Sequence, residues 1–284
     1  MNQQAPLLQP ALYLVATPIG NLGDVTLRAL DVLKQADVIA CEDTRHSRKL
    51  LDHYGIPVPA VSYHEHNEAE RAQELVERLK AGARVALISD AGMPAVSDPG
   101  YRLVHAAIQN GIRVIPVPGA TAFMAALVAS GLPTVRFTFQ GFLPARRGER
   151  RTVLEALAGL QDTAIFYEAP HRLLECLEDV AVILGANRPV VVARELTKVH
   201  EEFVRGSAGE VLEQFRKRPS VRGEIVLLIG KPLKPVRHAS PGIAEQMDEL
   251  MKSGLDENSA LRNLAKHTGM SRDELYRELQ RKRK

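Results

Sequence analysis

Residues 85–122 read VALISDAGMPAVSDPGYRLVHAAIQNGIRVIPVPGATA. Val85–Ser89 is a short run without polar alternation, as a strand covered on both faces requires. A loop rich in Gly, Pro and Asp follows, then a helical stretch Tyr101–Asn110 closed by Gly111, a second run Ile112–Val117, and a second Gly/Pro turn. Strand, crossover helix and strand form the unit of a parallel sheet. The same rhythm extends towards the N-terminus. Tyr13–Ala16 precedes a Pro/Gly loop, Asp24 opens a helix with Leu27, Leu30 and Leu33 on one stripe, and Asp37–Ala40 is the next short run. Asn67 is expected to cap a helix with Glu70 three residues on and Leu75, Val76 and Leu79 inward. The expectation is an α/β domain over residues 1–122.

Beyond the small-residue helix of PGATAFMAALVASGLP, the strand-like segments are Arg136–Gln140, Ala164–Tyr167, Val190–Arg194, Glu202–Arg205 and Ile225–Ile229. Helices fall near 148–159, 171–184 and 209–217. That makes a second α/β domain, 123–232, with less regular alternation. Lys231–Pro235 reads as a linker, and residues 238–284 as a helical module. There Ala260, Leu261 and Leu264 face inward, Gly269 turns the chain, and Ser271 with Glu274 makes a capping box. The pattern suits a helix-turn-helix or a plain helical hairpin.

The chain has 284 residues, 45% hydrophobic and 25% charged, which excludes disorder and fibrous classes. Aromatics are 5% with no Trp, so no aromatic base-stacking platform is expected. Cys41 and Cys176 sit in apolar surroundings and read as reduced, cytosolic packing thiols. MNQQAPLLQP lacks the basic and apolar regions of a signal peptide. The uncharged stretch 114–135 is interrupted by Pro116, Pro118, Gly119, Gly131 and Pro133, so no spanning helix is expected and a cytoplasmic, membrane-free protein is. Net charge is +3, unevenly placed: residues 231–284 hold 12 Lys/Arg against 8 Asp/Glu, leaving 25 against 26 elsewhere. A basic end, Gln280–Lys284, on a near-neutral body suggests a polyanionic partner. Arg146, Arg147, Arg150 and Arg151 bunch around a glycine and are candidate phosphate contacts.

No Walker loop, GxGxxG, HExxH or paired CxxC occurs. His64-Glu65-His66 would be a poor chelate, so no metal is expected. Three turn-rich loops instead follow strands: Thr17–Asn21, Ser89–Gly100 and Pro118–Ala122. Ligands of open α/β sheets bind at the carboxyl ends of the strands, which makes these loops a candidate small-molecule site. Polar clusters Glu42–His46, Tyr63–Asn67, Phe166–Arg172 and Arg194–Lys198 also follow strands and are expected to line a cleft between the two domains.

ATPIGNLGD (16–24), CEDTRHS (41–47), SDAGMPAVSDPG (89–100), PVPGATA (116–122), GFLP (141–144), FYEAPHR (166–172) and RELTK (194–198) together resemble the ribosomal RNA small subunit methyltransferase I family of the tetrapyrrole methylase superfamily. The resemblance runs in order from about residue 11 to 230, with a weaker match in the C-terminal part. It implies two α/β domains of tetrapyrrole-methylase type, S-adenosylmethionine in the cleft between them, a helix-turn-helix-like appendage and a homodimer. It implies 2′-O-methylation of a cytidine in the decoding centre of 16S ribosomal RNA, within the small ribosomal subunit. Carried over by position, Asp90, Ala91, Gly92 and Met93 form one cofactor loop, Pro118, Gly119, Thr121 and Ala122 a second, and Pro18 and Gly20 a third. Phe166 and Tyr167 would meet the adenosyl group. Met93 stands where the family has Thr, and Thr121 and Ala169 where it has Ser.

Methyl transfer from a sulfonium is an in-line displacement, so positioning carries most of it. A base near the ribose hydroxyl would help, and Glu42, Asp43, Glu168 and His171 are the candidates. Arg45 and Arg172 are candidate phosphate or alkoxide partners. Two rivals remain: a methylase of a tetrapyrrole-like small molecule, against which the basic appendage stands, and a non-catalytic RNA-binding factor, against which the cofactor loops stand.

Overall fold

The computed structural model describes residues 7–232 together with 247, 250, 251, 255–268, 271 and 274–276. Its contacts divide it into two units, Met1–Leu233 and Lys234–Lys284. The first unit is α/β throughout and holds two five-stranded sheets.

In the first sheet the strands are β1 (Ala11–Val15), β2 (Val38–Cys41), β3 (Ala60–Ser62), β4 (Arg84–Leu87) and β5 (Val114–Val117). They lie in the order β3-β2-β4-β1-β5, and every pairing is parallel. Helices α1 (Leu27–Gln35), α2 (Thr44–His53), α3 (Glu68–Lys80) and α4 (Tyr101–Gln109) provide the crossovers. Alternate strand residues serve opposite faces, as the pleat demands. Tyr13, Val15, Ile39 and Ala86 pack with Val32, Leu33 and Leu51 of α1 and α2, whereas Leu12, Val38, Ala40 and Val85 pack with α3 and α4. Both faces are therefore dry, which explains the unbroken apolar strands.

Local details differ from the sequence reading. Asp24 ends a short 3-10 turn, and α1 starts after Thr26, whose hydroxyl accepts from the Ala29 N–H. The buried stripe of α1 is Ala29, Val32 and Leu33, while Leu27 is 81% exposed. Asn67 precedes α3 but does not cap it: its Oδ1 accepts from the His64 N–H at 2.8 Å, tying back the preceding loop. Helix α2 and strand β3 have no counterpart in the sequence reading.

The second sheet has β6 (Phe137–Phe142), β7 (Thr163–Glu168), β8 (Pro189–Arg194), β9 (Glu202–Ser207) and β10 (Ile225–Ile229) in the order β6-β7-β10-β8-β9. Only β6 and β7 run parallel; the other pairings are antiparallel. One face carries α6 (Arg147–Ala156), α7 (Leu173–Ile183) and α8 (Ala208–Arg216) over Phe166, Val192, Leu227 and their neighbours. The other face packs Ile165, Val191, Ala193 and Leu228 against α5 (Ala122–Ser130) and against Ile19 from the loop after β1. The second sheet thereby closes over the carboxyl ends of the first.

In the second unit the helix Glu257–Thr268 buries Ala260, Leu261 and Leu264 with Met247 and Leu275. The Ser271 N–H donates to Glu274 Oε2 at 2.9 Å and the Glu274 N–H to Ser271 Oγ at 3.3 Å, the expected capping box. Gly269 and the basic end 280–284 lie outside the described residues. Among the described residues no helix is long and apolar enough to cross a membrane.

Arg150 corrects its sequence assignment. It faces inward from α6 and is 0% exposed, with its guanidinium 2.8 Å from the equally buried Asp179 carboxylate of α7. A buried charge must be neutralised locally, so this arginine joins two helices and is withheld from nucleic acid. Arg150→Ala should cost about 3–5 kcal/mol in urea unfolding, because it removes the buried partner of Asp179 and leaves that carboxylate to the largely exposed Arg147 at 3.2 Å. Arg150→Met combined with Asp179→Leu should recover most of that loss.

Candidate active site

The order β3-β2-β4-β1-β5 places a switch point between β4 and β1. From there the chain leaves β1 towards the α1 face and β4 towards the α4 face, which opens a crevice beyond their carboxyl ends. The two departing loops are clamped across it. The Thr17 N–H donates to the Gly92 carbonyl at 2.9 Å, and the Gly92 N–H returns to the Thr17 carbonyl at 3.1 Å. Thr17 Oγ1 also donates to the Ser89 carbonyl at 3.1 Å. Gly92 has φ +83°, which a side chain would resist.

Two cavities flank this clamp. The first, about 320 Å3, is lined by Ala91, Gly92, Met93, Thr121, Ala122 and Tyr167 among the expected cofactor residues. The second sheet and its loops complete it with Leu196, Glu224 and Val226, and Ile19 reaches in from the loop after β1. The second cavity, about 310 Å3, takes Pro18, Gly20 and Asp90. Pro118 and Gly119 stand outside both linings. A Cβ on Gly119 would come within 2.9 Å of Ala16 Cβ, so this glycine permits close loop packing. Gly20 likewise faces Lys198, whose Cγ would lie 2.5 Å from an added Cβ.

Phe166 corrects its assignment. It is 1% exposed and belongs to the core under α6, α7 and α8, on the face opposite the cavity. Adjacent strand residues point to opposite faces, so Phe166 and Tyr167 cannot both meet one ligand. Tyr167 takes the cavity side, where Phe139 and Phe142 flank its ring with centroids 5.0 and 5.6 Å away.

The candidate bases separate by environment. Glu168 lines the first cavity but is 2% exposed; its Oε1 accepts from the Ala169 N–H at 2.8 Å and lies 3.4 Å from Arg172 Nε. Arg172 also donates to the Leu143 carbonyl at 2.6 Å, so its guanidinium is held within the fold. Asp43 caps α2, and the Arg45 N–H holds its carboxyl below the usual range. Glu42 is pushed upward by burial, then by the Asp90 and Glu65 carboxylates. His171 is exposed and lines neither cavity. Arg45 projects into solvent with its side chain 93% exposed, and Arg146, Arg147 and Arg151 ring the outer side of α6.

Asp98 escaped the sequence reading. It lines the first cavity, and burial, followed by Glu42 and Asp90, pushes its pKa up to about 6. Its neighbours Ala95 and Ser97 have φ of 65° and 60°, strained values for residues with side chains. In the sequence, SDPG reads as turn chemistry, and only the fold turns this aspartate towards the cavity.

The family model for tetrapyrrole (corrin/porphyrin) methylases matches residues 11–212. Among solved structures, uroporphyrin-III C-methyl transferase from Thermus thermophilus complexed with S-adenyl homocysteine is 24% identical, with TM-score 0.54 over 78% of this chain and 97% of that one. Two proteins named ribosomal RNA small subunit methyltransferase I are each 48% identical. The one from Synechocystis sp. covers 93% of this chain and 95% of its own length, and that from Mesorhizobium japonicum 96% and 92%. The chain belongs to the tetrapyrrole methylases and, within them, to the ribosomal RNA small subunit methyltransferase I family.

Asp98 binds its proton more tightly folded than unfolded, so its contribution to stability falls as pH rises from about 4 to 6 and is constant above. Asp98→Asn should abolish that fall. Urea midpoints should show the variant more stable than wild type by about 1–2 kcal/mol at neutral pH, a figure reduced for solvent screening, and the difference should shrink towards pH 4.

Proposed function

We propose that the protein is an S-adenosylmethionine-dependent methyltransferase acting on the ribose 2′-hydroxyl of a cytidine in 16S ribosomal RNA, within the small subunit in the cytoplasm. The likeness to ribosomal RNA small subunit methyltransferase I at 48% identity over 93% of the chain carries this reading. The first cavity fits the cofactor's chemistry. Its wall combines apolar surface from Ile19, Leu196 and Val226 with the half-buried Asp98, a suitable setting for a ligand bearing a sulfonium and an ammonium. Gly92, Met93, Thr121, Ala122 and Tyr167 would hold it there. The bound cofactor supplies an electrophilic methyl group.

The chain's own contribution is then positioning and proton acceptance. The clamped loops hold their residues on a rigid sheet edge, and the second sheet excludes water from the opposite side. Of the candidate bases, Glu42 stands where burial and the Asp90 carboxylate favour proton uptake, whereas Asp43 and Glu168 are committed to backbone N–H groups. Arg45 and the exposed arginines of α6 would meet phosphates. We assign residues 1–122 and 123–232 to two domains and 238–284 to the appendage, and place the cofactor between the first two.

With radiolabelled S-adenosylmethionine and unmethylated small subunits, label should appear in an alkali-resistant dinucleotide of 16S RNA. Cofactor binding without label in subunits or naked 16S RNA would overturn the reading.

We also infer a homodimer. Helix α5 is apolar around its whole circumference, yet Met124 and Val128 are 40% and 69% exposed, and Val135 beyond it is 95% exposed. Exposed apolar surface of this kind marks an interface. Light scattering should give twice the 31.2 kDa chain mass for the wild type and the chain mass for Val128→Glu.

A further inference from the structure

The second cavity is separate from the one assigned to the cofactor, yet the same two loops build both. Thr17, Pro18, Gly20 and Asp90 face the second, while Ile19, Ala91 and Gly92 face the first. In an in-line displacement the acceptor oxygen enters opposite the leaving sulfur, so it must arrive from beyond the cofactor's own cavity. At about 310 Å3 the second cavity lies in the size range of small-ligand sites and suits a single nucleoside.

Its charge selects the class of ligand. His46 and Lys49 of α2 line it; Arg45 and Arg48 stand on the same first turns of that helix, both largely exposed and loosely paired, with Asp43 at 3.5 Å and Asp52 at 3.7 Å. The positive end of the helix adds to them. Lys49 is exposed and has no acidic partner among the described residues. The third cavity, about 470 Å3, offers the contrast. Three carboxylates, Glu65, Glu68 and Asp98, line it beside a single arginine, Arg102, whereas Asp90 is the one carboxylate residue lining the second. A polyanion is repelled there and attracted at α2. Asp90 completes the second cavity: one oxygen accepts from the Asp43 N–H at 3.3 Å, and the other has no hydrogen bond among the described residues. A free carboxylate oxygen suits an amino group of cytosine or a ribose hydroxyl.

We propose that the second cavity receives the target nucleotide, extruded from its RNA, and that Lys49 with His46, Arg45 and Arg48 grips the phosphates flanking it. This rests on the methyltransferase reading above. Enzymes that modify a nucleotide within a structured nucleic acid commonly take it out of the stack into such a recess.

The test uses full-length protein, unmethylated small subunits and saturating labelled S-adenosylmethionine. Lys49→Glu should raise KM for the subunit about tenfold or more and lower the salt dependence of kcat/KM by about 0.7 log unit per decade for each phosphate no longer neutralised. Cofactor affinity should stay within about twofold and the unfolding midpoint unchanged, since Lys49 is exposed. Lys49→Arg should restore KM. A Lys49→Glu enzyme with wild-type KM and salt dependence overturns the acceptor site, as does one whose defect is a loss of cofactor affinity. Failure of the unmutated enzyme to label subunit RNA is the distinct result that removes the functional reading itself.

Discussion

The reciprocal backbone pairing of Thr17 with Gly92 is the constraint on which the site depends. Two chains leaving a parallel sheet towards opposite faces would ordinarily splay apart and leave their polar backbone to water. Here each satisfies the other, and Thr17 Oγ1 directs its own hydrogen bond to the Ser89 carbonyl. The clamp sets residues 17–20 and 89–93 against one another. Successive residues of each loop then present to different sides, which produces two adjoining cavities from two short segments.

The second sheet contributes a wall through the same two-residue period. Tyr167, Ile165 and Phe139 face α5 and the cavity side, while Phe166 and Ala164 face the helices behind. Ile19 couples the halves: it leaves the clamped loop and packs among Ile165, Ala193 and Val226. The loop after β8 closes the arrangement. Lys198 lies over Gly20 and pairs with Glu195 at 2.8 Å and Glu224 at 3.1 Å, so the RELTK segment has a positioning role between the sheets.

Charge is sorted by depth. Asp98 faces the first cavity, where a cationic ligand would relieve its desolvation. The cations at α2 and on the outer side of α6 face solvent. Arg150 is the exception, neutralised within the fold by Asp179. An acidic interior and a basic rim suit a sulfonium cofactor within and a polyanionic substrate outside.

Much of this was legible in the chain alone. The apolar run without alternation at 85–89 specified a strand covered on both faces, the run at 112–117 a further strand, and Gly/Pro loops after strands located the site. The motifs from 16–24 to 194–198 carried the family. Strand β3 and helix α2 were not legible: β3 is three half-buried residues, and α2 buries only Ser47, Leu50 and Leu51 amid polar positions. The tertiary structure alone decided the facing of neighbours. It turned Phe166 away and Tyr167 inward, buried Arg150 while Arg146 stayed exposed, and brought Asp98 beside Asp90 and Glu42. Composition sets which groups a segment can offer. Which of them meet depends on strand order and crossover side, and contacts across 50 or more residues leave no mark in local pattern.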